Sequence, residues 1–227
     1  KLTGHDVSHL KDVDILAVTP AVFFQSAQHP ELKTAQLQGM AMTWQEFMGK
    51  YLHKDKFLIC IAGTHGKSTT TAMAGLLLQT AGLDPTVEVG ATVPAWKSNH
   101  LIGQCKYFVS EADEYYGNFL HYHPDIVILN NIEMDHPEYF KTFDNMLETY
   151  AKFVSQIKPG GTLIYNIENS GIKKLIENWK LKIKNLNLVP YSTKEFPKGL
   201  TLKIPGIHNQ TNAMGIIKLA KVLNIDP

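Results

Sequence analysis

Cysteine is almost missing from this chain of 227 residues: Cys60 and Cys105 are the whole complement, too few to suggest a disulfide framework or a zinc site. Cys60 lies within an apolar stretch, which predicts a reduced core thiol and a cytosolic setting. Excess charge is missing too. Lys and Arg number 22 against 21 Asp and Glu, so a net charge of +1 offers no electrostatic case for a nucleic-acid or membrane-surface partner. No apolar run reaches the length of a membrane span, the first residues carry no secretory signal pattern, and neither an internal repeat nor a low-complexity stretch is present. What is left, with 44% hydrophobic residues, is a globular protein long enough for one full domain and part of another.

Hydrophobic patterning divides the chain near Lys54. Before it, a strand is expected over 14–18, a helix over 30–38 stopped by Gly39, and an amphipathic helix over 43–52. This reads as the tail of an α/β domain whose beginning is missing. After it, strands are expected at 57–62, 107–110, 126–129, 162–167, 188–191 and 200–204. They alternate with helices near 72–78, 143–157, 172–179 and 208–223. Strands alternating with helices argue for a mostly parallel sheet covered on both faces. The lysine-rich stretch 173–184 is expected to be a solvated helix face and turn.

Four blocks carry chemistry. The first is Gly63-Thr64-His65-Gly66-Lys67-Ser68-Thr69, between the apolar strand and a helix. There, unpaired backbone N–H groups and the positive end of the helix dipole converge on an anion, and glycines let a phosphate approach closely. Lys67 adds a point charge for the outer phosphates, and the Ser68 hydroxyl is placed to ligate Mg²⁺. The usual pattern is G-x-x-x-x-G-K-[ST]; here Ile61 stands at its first glycine, so this is a shortened variant.

The second block, Glu111-Ala-Asp113-Glu114, ends an apolar strand in three carboxylates, where ligands bind in open α/β sheets, and at least one of them suits a magnesium site. The third, Asn130-Asn131-Ile-Glu133-Met-Asp135-His136, repeats that design, with His136 a candidate metal ligand and Asn131 or Asp135 a candidate to orient it or a phosphate; His121 and His123 lack such placement and are expected to be structural. In the fourth, Gly206-Ile-His208-Asn209-Gln-Thr-Asn212-Ala, Asn209 and Asn212 can share one helix face and offer amides to an adenine edge; plain helix capping explains them equally well.

In this order the four blocks resemble the Mur ligase family, ATP-dependent enzymes that add amino acids to the peptidoglycan precursor. The resemblance covers nearly the whole chain. It implies a central ATP-binding domain over 55–227, preceded over 1–54 by the end of a Rossmann-like domain that binds the UDP substrate. It implies ATP and Mg²⁺, with His65 and the rest of the 63–69 loop, His208, Asn209 and Asn212 on the nucleotide, and Ser68, Glu111 and His136 on metal. Lys67, Glu111 and His136 would carry catalysis. His65 and Glu-Ala-Asp-Glu look most like the branch that joins L-alanine to UDP-N-acetylmuramate. Tyr115-Tyr116 departs from the Ser-Asp usual there; this and the neighbouring residues are closer to the branch that attaches the recycled murein tripeptide, so either acceptor stays open. Some branches carry a carbamylated lysine on the helix after the metal histidine; Lys152 lies on that helix out of register and reads as a surface lysine. The resemblance further implies a C-terminal amino-acid-binding domain beyond these residues, without which nucleotide would bind but no ligation would follow. Among rival classes, a GTPase lacks its N-K-x-D motif, and a kinase leaves the 208–212 block unexplained. A nucleotide-binding fragment without turnover remains the third reading.

Overall fold

A computed structural model describes residues 4–25, 28–179 and 185–225. The chain forms two compact units that divide between Lys54 and Asp55.

In the first unit a 3₁₀ turn, Val7–Leu10, is capped by the Asp6 carboxylate and leads into strand β1 (Leu16–Val18). Helix α1 (Pro20–Gln25) and helix α2 (Pro30–Leu37) follow, then strand β2 (Ala41–Thr43), parallel to β1. The helix expected over 43–52 is in fact the end of β2, a short helix α3 (Trp44–Phe47) and a π-helical turn (Met48–Leu52). Thr43 explains the break: its extended backbone completes the strand while its hydroxyl accepts from Glu46 N at 3.1 Å, capping α3.

The second unit opens with β3 (Phe57–Ala62), buried from its second residue onward. Helix α4 (Lys67–Thr80) begins directly after Gly66, five residues before the helix formers at Ala72. Strands β4 (Thr86–Val93) and β5 (Ser98–Leu101) come next, then β6 (Tyr107–Glu111), a kinked 3₁₀ stretch (Tyr115–His121) and β7 (Ile126–Leu129). Helices α5 (Pro137–Phe140) and α6 (Phe143–Ser155), strand β8 (Thr162–Asn166), helix α7 (Ser170–Trp179), strand β9 (Asn187–Tyr191) and helix α8 (Ile207–Val222) complete it. The strands form one sheet in the order β5-β4-β6-β3-β7-β8-β9, parallel throughout except for β5, which runs antiparallel to β4.

From β3 the chain moves towards β4 and β5; from β7 it moves the other way, to β8 and β9. Right-handed crossovers taken in opposite directions put their helices on opposite faces. Accordingly, Ala74 and Leu78 of α4 and Met214 and Leu219 of α8 pack with Ile59, Ile61, Val109 and Ile128 on one face. Side chains alternate across a strand, so Leu58, Cys60 and Val127 are buried towards the other, where α6 and α7 lie together. Cys60 is a fully buried free thiol, its pKa pushed up by burial. The reversal of direction between β3 and β7 opens a crevice at their carboxyl ends, the usual ligand position in such sheets.

No strand forms over 200–204. Leu200 and Ile204 are 47% and 42% exposed, and alternation without a face to bury makes no strand. Of the lysine-rich stretch, Lys173 and Lys174 lie on the exposed face of α7, while 180–184 fall outside the described residues. Lys152 is on the surface and pairs with Glu148 at 3.2 Å; His121 and His123 are exposed. Among the described residues, no helix is long and apolar enough to cross a membrane.

Candidate nucleotide and metal site

The turn from β3 to α4 is held open by its two glycines. Gly63 has φ +136° and Gly66 φ +81°; a Cβ on Gly63 would sit 2.9 Å from Asn131 O, and one on Gly66 2.7 Å from the Asn212 side-chain oxygen. Only glycine adopts these angles without strain and tolerates the approach. Asn131, just past β7, fixes the loop. Its side chain accepts from His65 N at 2.8 Å and donates to His65 O at 3.0 Å, and its carbonyl accepts from Thr64 N at 3.2 Å. The Thr64 hydroxyl donates to Glu133 O at 3.0 Å and accepts from Glu133 N at 2.9 Å. Beneath, Asn130 donates to Thr70 Oγ1 at 2.9 Å, accepts from Tyr191 Oη at 3.3 Å and through its carbonyl from Asn166 at 3.2 Å, tying β7, β8, β9 and α4 together.

Two acids of the second block reach the loop from different sides. Glu111 accepts from Ser68 Oγ at 3.1 Å and from Gly90 N at 2.7 Å. Glu114 is fully buried and takes Lys67 Nζ on both oxygens, at 3.0 and 3.2 Å, while the same ammonium donates to Gly63 O at 2.7 Å and Thr64 O at 3.3 Å. Burial raises the Glu114 pKa above its ordinary value, and the Lys67 charge offsets only part of that. Asp113 turns away to cap its own loop, accepting from Tyr115 N at 3.2 Å and from Asn118 at 2.8 Å.

His136 lies with Glu114 rather than with Glu111: Glu114, Asp135 and His136 each offer a donor atom within 4.8 Å of the others. Its backbone is left-handed, φ 48°, and its ring stacks on Tyr115 with centroids 4.1 Å apart. Tyr116 beside it is also left-handed, φ 52°; such backbone in residues with a Cβ costs energy and is found where a fold over-determines it. The metal trio read from the sequence therefore divides into Ser68 with Glu111 and His136 with Glu114 and Asp135. Asp135, expected with Asn131 to orient the histidine or a phosphate, stands within the cluster itself, and Glu114 has no individual role in the sequence reading, since spacing alone does not say which acid of Glu-Ala-Asp-Glu faces the histidine.

Beside the loop lies an open cavity of about 590 Å³, lined among others by His65, Gly66, Asn131, Asn169, His208 and Asn212. Asn212, buried, abuts Gly66; His208 is exposed at the rim. Asn209 is placed differently. Its amide donates to Pro205 O at 2.8 Å, holding the entry to α8. Thr69 is half-buried in the first turn of α4. The sequence reading missed Asn166, Glu168 and Asn169, which also line the cavity; their signal was their place at and after the carboxyl end of β8.

These residues fit a nucleotide with divalent cations. A Cβ would close the glycine cradle, hard oxygen donors at Ser68 and Glu111 suit Mg²⁺, and a buried carboxylate with a neighbouring acid and imidazole suits a second cation.

Fold and site define a doubly wound α/β protein with a glycine-lined anion cradle at the carboxyl ends of its strands. The sequence profile of the Mur ligase middle domain matches residues 61–220, and the chain belongs to that family. UDP-N-acetylmuramate–L-alanine ligase of Clostridium acetobutylicum is 33% identical over 243 residues, covering 98% of this chain and 52% of the relative. The enzyme of the same name from Clostridium novyi is 34% identical over 242 residues, with 98% and 52% covered. The chain thus spans about half the length of these relatives. Its fold is that of the Neisseria UDP-N-acetylmuramate:L-alanyl-γ-D-glutamyl-meso-diaminopimelate ligase (TM-score 0.82, 20% identity, 99% of this chain and 79% of that one). The alanine ligase MurC of Thermotoga maritima is similar as well (TM-score 0.79, 23% identity, 99% and 54%).

Proposed function

We propose that this chain is the nucleotide-binding part of an ATP-dependent ligase of peptidoglycan precursor synthesis, acting in the cytoplasm. The ligase joins L-alanine to UDP-N-acetylmuramate. Residues 1–54 would be the closing part of the UDP-substrate domain and 55–227 the ATP domain. The observation that carries this reading is the meeting of the Gly63–Ser68 loop, two separate acid groups and His136 at the carboxyl ends of three adjacent strands, β6, β3 and β7.

In such a ligase the muramoyl carboxylate is phosphorylated by ATP and the resulting acyl phosphate is attacked by an amine, with loss of phosphate. Catalysis of phosphoryl transfer is mostly positioning and charge neutralisation. Lys67, aimed by the Gly63 and Thr64 carbonyls and by Glu114, would hold the outer phosphates together with the free loop amides. Ser68 and Glu111 would hold one Mg²⁺, and His136 with Glu114 and Asp135 a second; when bound, these ions would neutralise charge on the transferring phosphate and the carboxylate. Asn212 and His208 would line the nucleoside side. The Tyr115-Tyr116 pair against His136 favours a second reading, in which the acceptor amine belongs to the murein tripeptide.

Two measurements test the proposal. Calorimetry should show Mg-ADP binding that Lys67→Ala weakens at least tenfold. In the protein that carries the C-terminal amino-acid-binding domain as well, ADP release with UDP-N-acetylmuramate should depend on the added amine, and the ratio of L-alanine to tripeptide turnover assigns the acceptor. Unaltered nucleotide affinity in the Lys67 variant would refute the site, and ADP release indifferent to both amines would refute the ligase.

A further inference from the structure

The first unit holds a polar cluster that the proposed ligase chemistry does not use. Glu31, second residue of α2, keeps its carboxylate side chain only 14% exposed. Its Oε1 accepts from His9 Nδ1 at 2.6 Å and from Asp6 N at 3.2 Å, and its Oε2 faces His5 Nδ1 at 3.4 Å. The His5 and His29 rings meet edge to face with centroids 4.3 Å apart. His29 Nδ1 accepts from Leu32 N at 3.4 Å as the cap of α2; a ring that accepts there carries its proton on Nε2, so an ion would be taken by Nδ1 in exchange for this long cap bond. His5, His29 and Glu31 each offer a donor atom within 4.8 Å of the others.

The spacing of the cluster accommodates an ion. A tetrahedral ion with bonds of about 2.1 Å to nitrogen and oxygen holds its ligands roughly 3.4 Å apart. An N–H to oxygen bond has its mode near 2.9–3.0 Å. The His5–Glu31 hydrogen bond is long, 3.4 Å, and its two atoms stand as far apart as the edge of such a tetrahedron, whereas His9 and Glu31 at 2.6 Å are a short, charge-assisted hydrogen bond. The carboxylate is thereby oriented by one histidine from behind, as the outer partners of metal ligands do, while its second oxygen faces His5 and a His29 donor atom lies within 4.8 Å. Two imidazoles with one carboxylate select a first-row transition ion over Mg²⁺, which prefers oxygen.

We propose that His5, His29 and Glu31 form a divalent transition-metal site of the Zn²⁺ type, open to solvent at its fourth position, with His9 positioning the carboxylate. Such an ion would tie the segment before the Val7–Leu10 turn to the start of α2 and staple this unit across 24 residues of chain, from His5 to His29.

Titration of the 227-residue chain with ZnCl₂ alone, followed by calorimetry, tests this. At least one equivalent should bind in the parent, and one should remain in His136→Ala, which disables the other cluster. His5→Ala and His29→Asn should each weaken it at least tenfold, and His9→Gln by roughly tenfold, the lower end of what loss of an outer partner costs. Asn at position 29 preserves a helix cap; if that variant fails to fold by circular dichroism, His5→Ala decides, because its side chain is 67% exposed and contributes little packing. Equal Zn²⁺ affinity in parent and His5→Ala, or loss of the equivalent in His136→Ala alone, overturns the proposal.

Discussion

Lys67 is held by acceptors of its own chain: the Gly63 and Thr64 carbonyls and both oxygens of Glu114. A P-loop lysine read from sequence is a ligand contact whose removal leaves the fold alone, but here it also compensates a carboxylate whose side chain is 1% exposed. Breaking one partner of a buried pair leaves an uncompensated charge, at a cost of about 3 kcal/mol. Lys67→Met should therefore lower stability in urea by roughly that amount as well as abolish nucleotide binding. The double variant Lys67→Met/Glu114→Gln should recover most of the stability and none of the affinity. If the single variant melts with the parent, the pair is not the buried, mutually dependent one described above.

Where strand hands over to helix, the geometry is set by backbone rather than by charge. Gly66 combines φ +81° with a missing Cβ that would otherwise lie 2.7 Å from Asn212 of α8. Gly66→Ala should cost about 1–3 kcal/mol in chemical unfolding and push α8 away from the loop. Mg-ADP affinity should fall with it, and intact affinity would mean that the loop and α8 do not form one site. This element, with β3, β6, β7 and α6, was legible from the sequence because continuous apolar runs and glycine punctuation mark buried strands and their turns. Strands β4 and β5 were not. Glu88 and Gly90 interrupt β4, and Ser98-Asn-His-Leu101 has no apolar face; both form by pairing outward from β6, a tertiary cause that leaves little local signal. Pro190 likewise sits in β9, at the sheet's other edge, where a missing N–H is tolerated. At the site, the loop and both acid blocks could be read from their places after strands, while the pairing of Glu114 with His136, and of Glu111 with Ser68, depends on how the chain turns after β6. Asn209 shows the converse: a motif amide that points to its own backbone.

Stability as a function of pH belongs to the whole molecule, since every group whose pKa differs between folded and unfolded chain contributes. Asp6, Glu31, Glu138 and Glu168 have lowered values, so the folded chain binds fewer protons at these sites and their support is lost as pH falls through the acid range. Glu88 works the other way. Burial under the sheet edge, with the Glu111 charge adding to it and the Ser110 hydrogen bond at 3.1 Å opposing, pushes it from 4.5 up to about 7. Because the folded chain binds this proton more tightly, its contribution is complete below about pH 4.5 and is lost as pH rises through 7. A shift of this size corresponds to at most about 3 kcal/mol. Urea unfolding without Mg²⁺ should accordingly show greatest stability in mildly acidic solution and a decline towards pH 8. Glu88→Gln keeps an acceptor for Ser110 and never ionises, so it should flatten that decline and exceed the parent at pH 8, while leaving the acid limb in place. An alkaline limb of equal slope in parent and variant would mean that Glu88 stays ionised in the folded chain, solvated from the edge of β4 rather than enclosed by it.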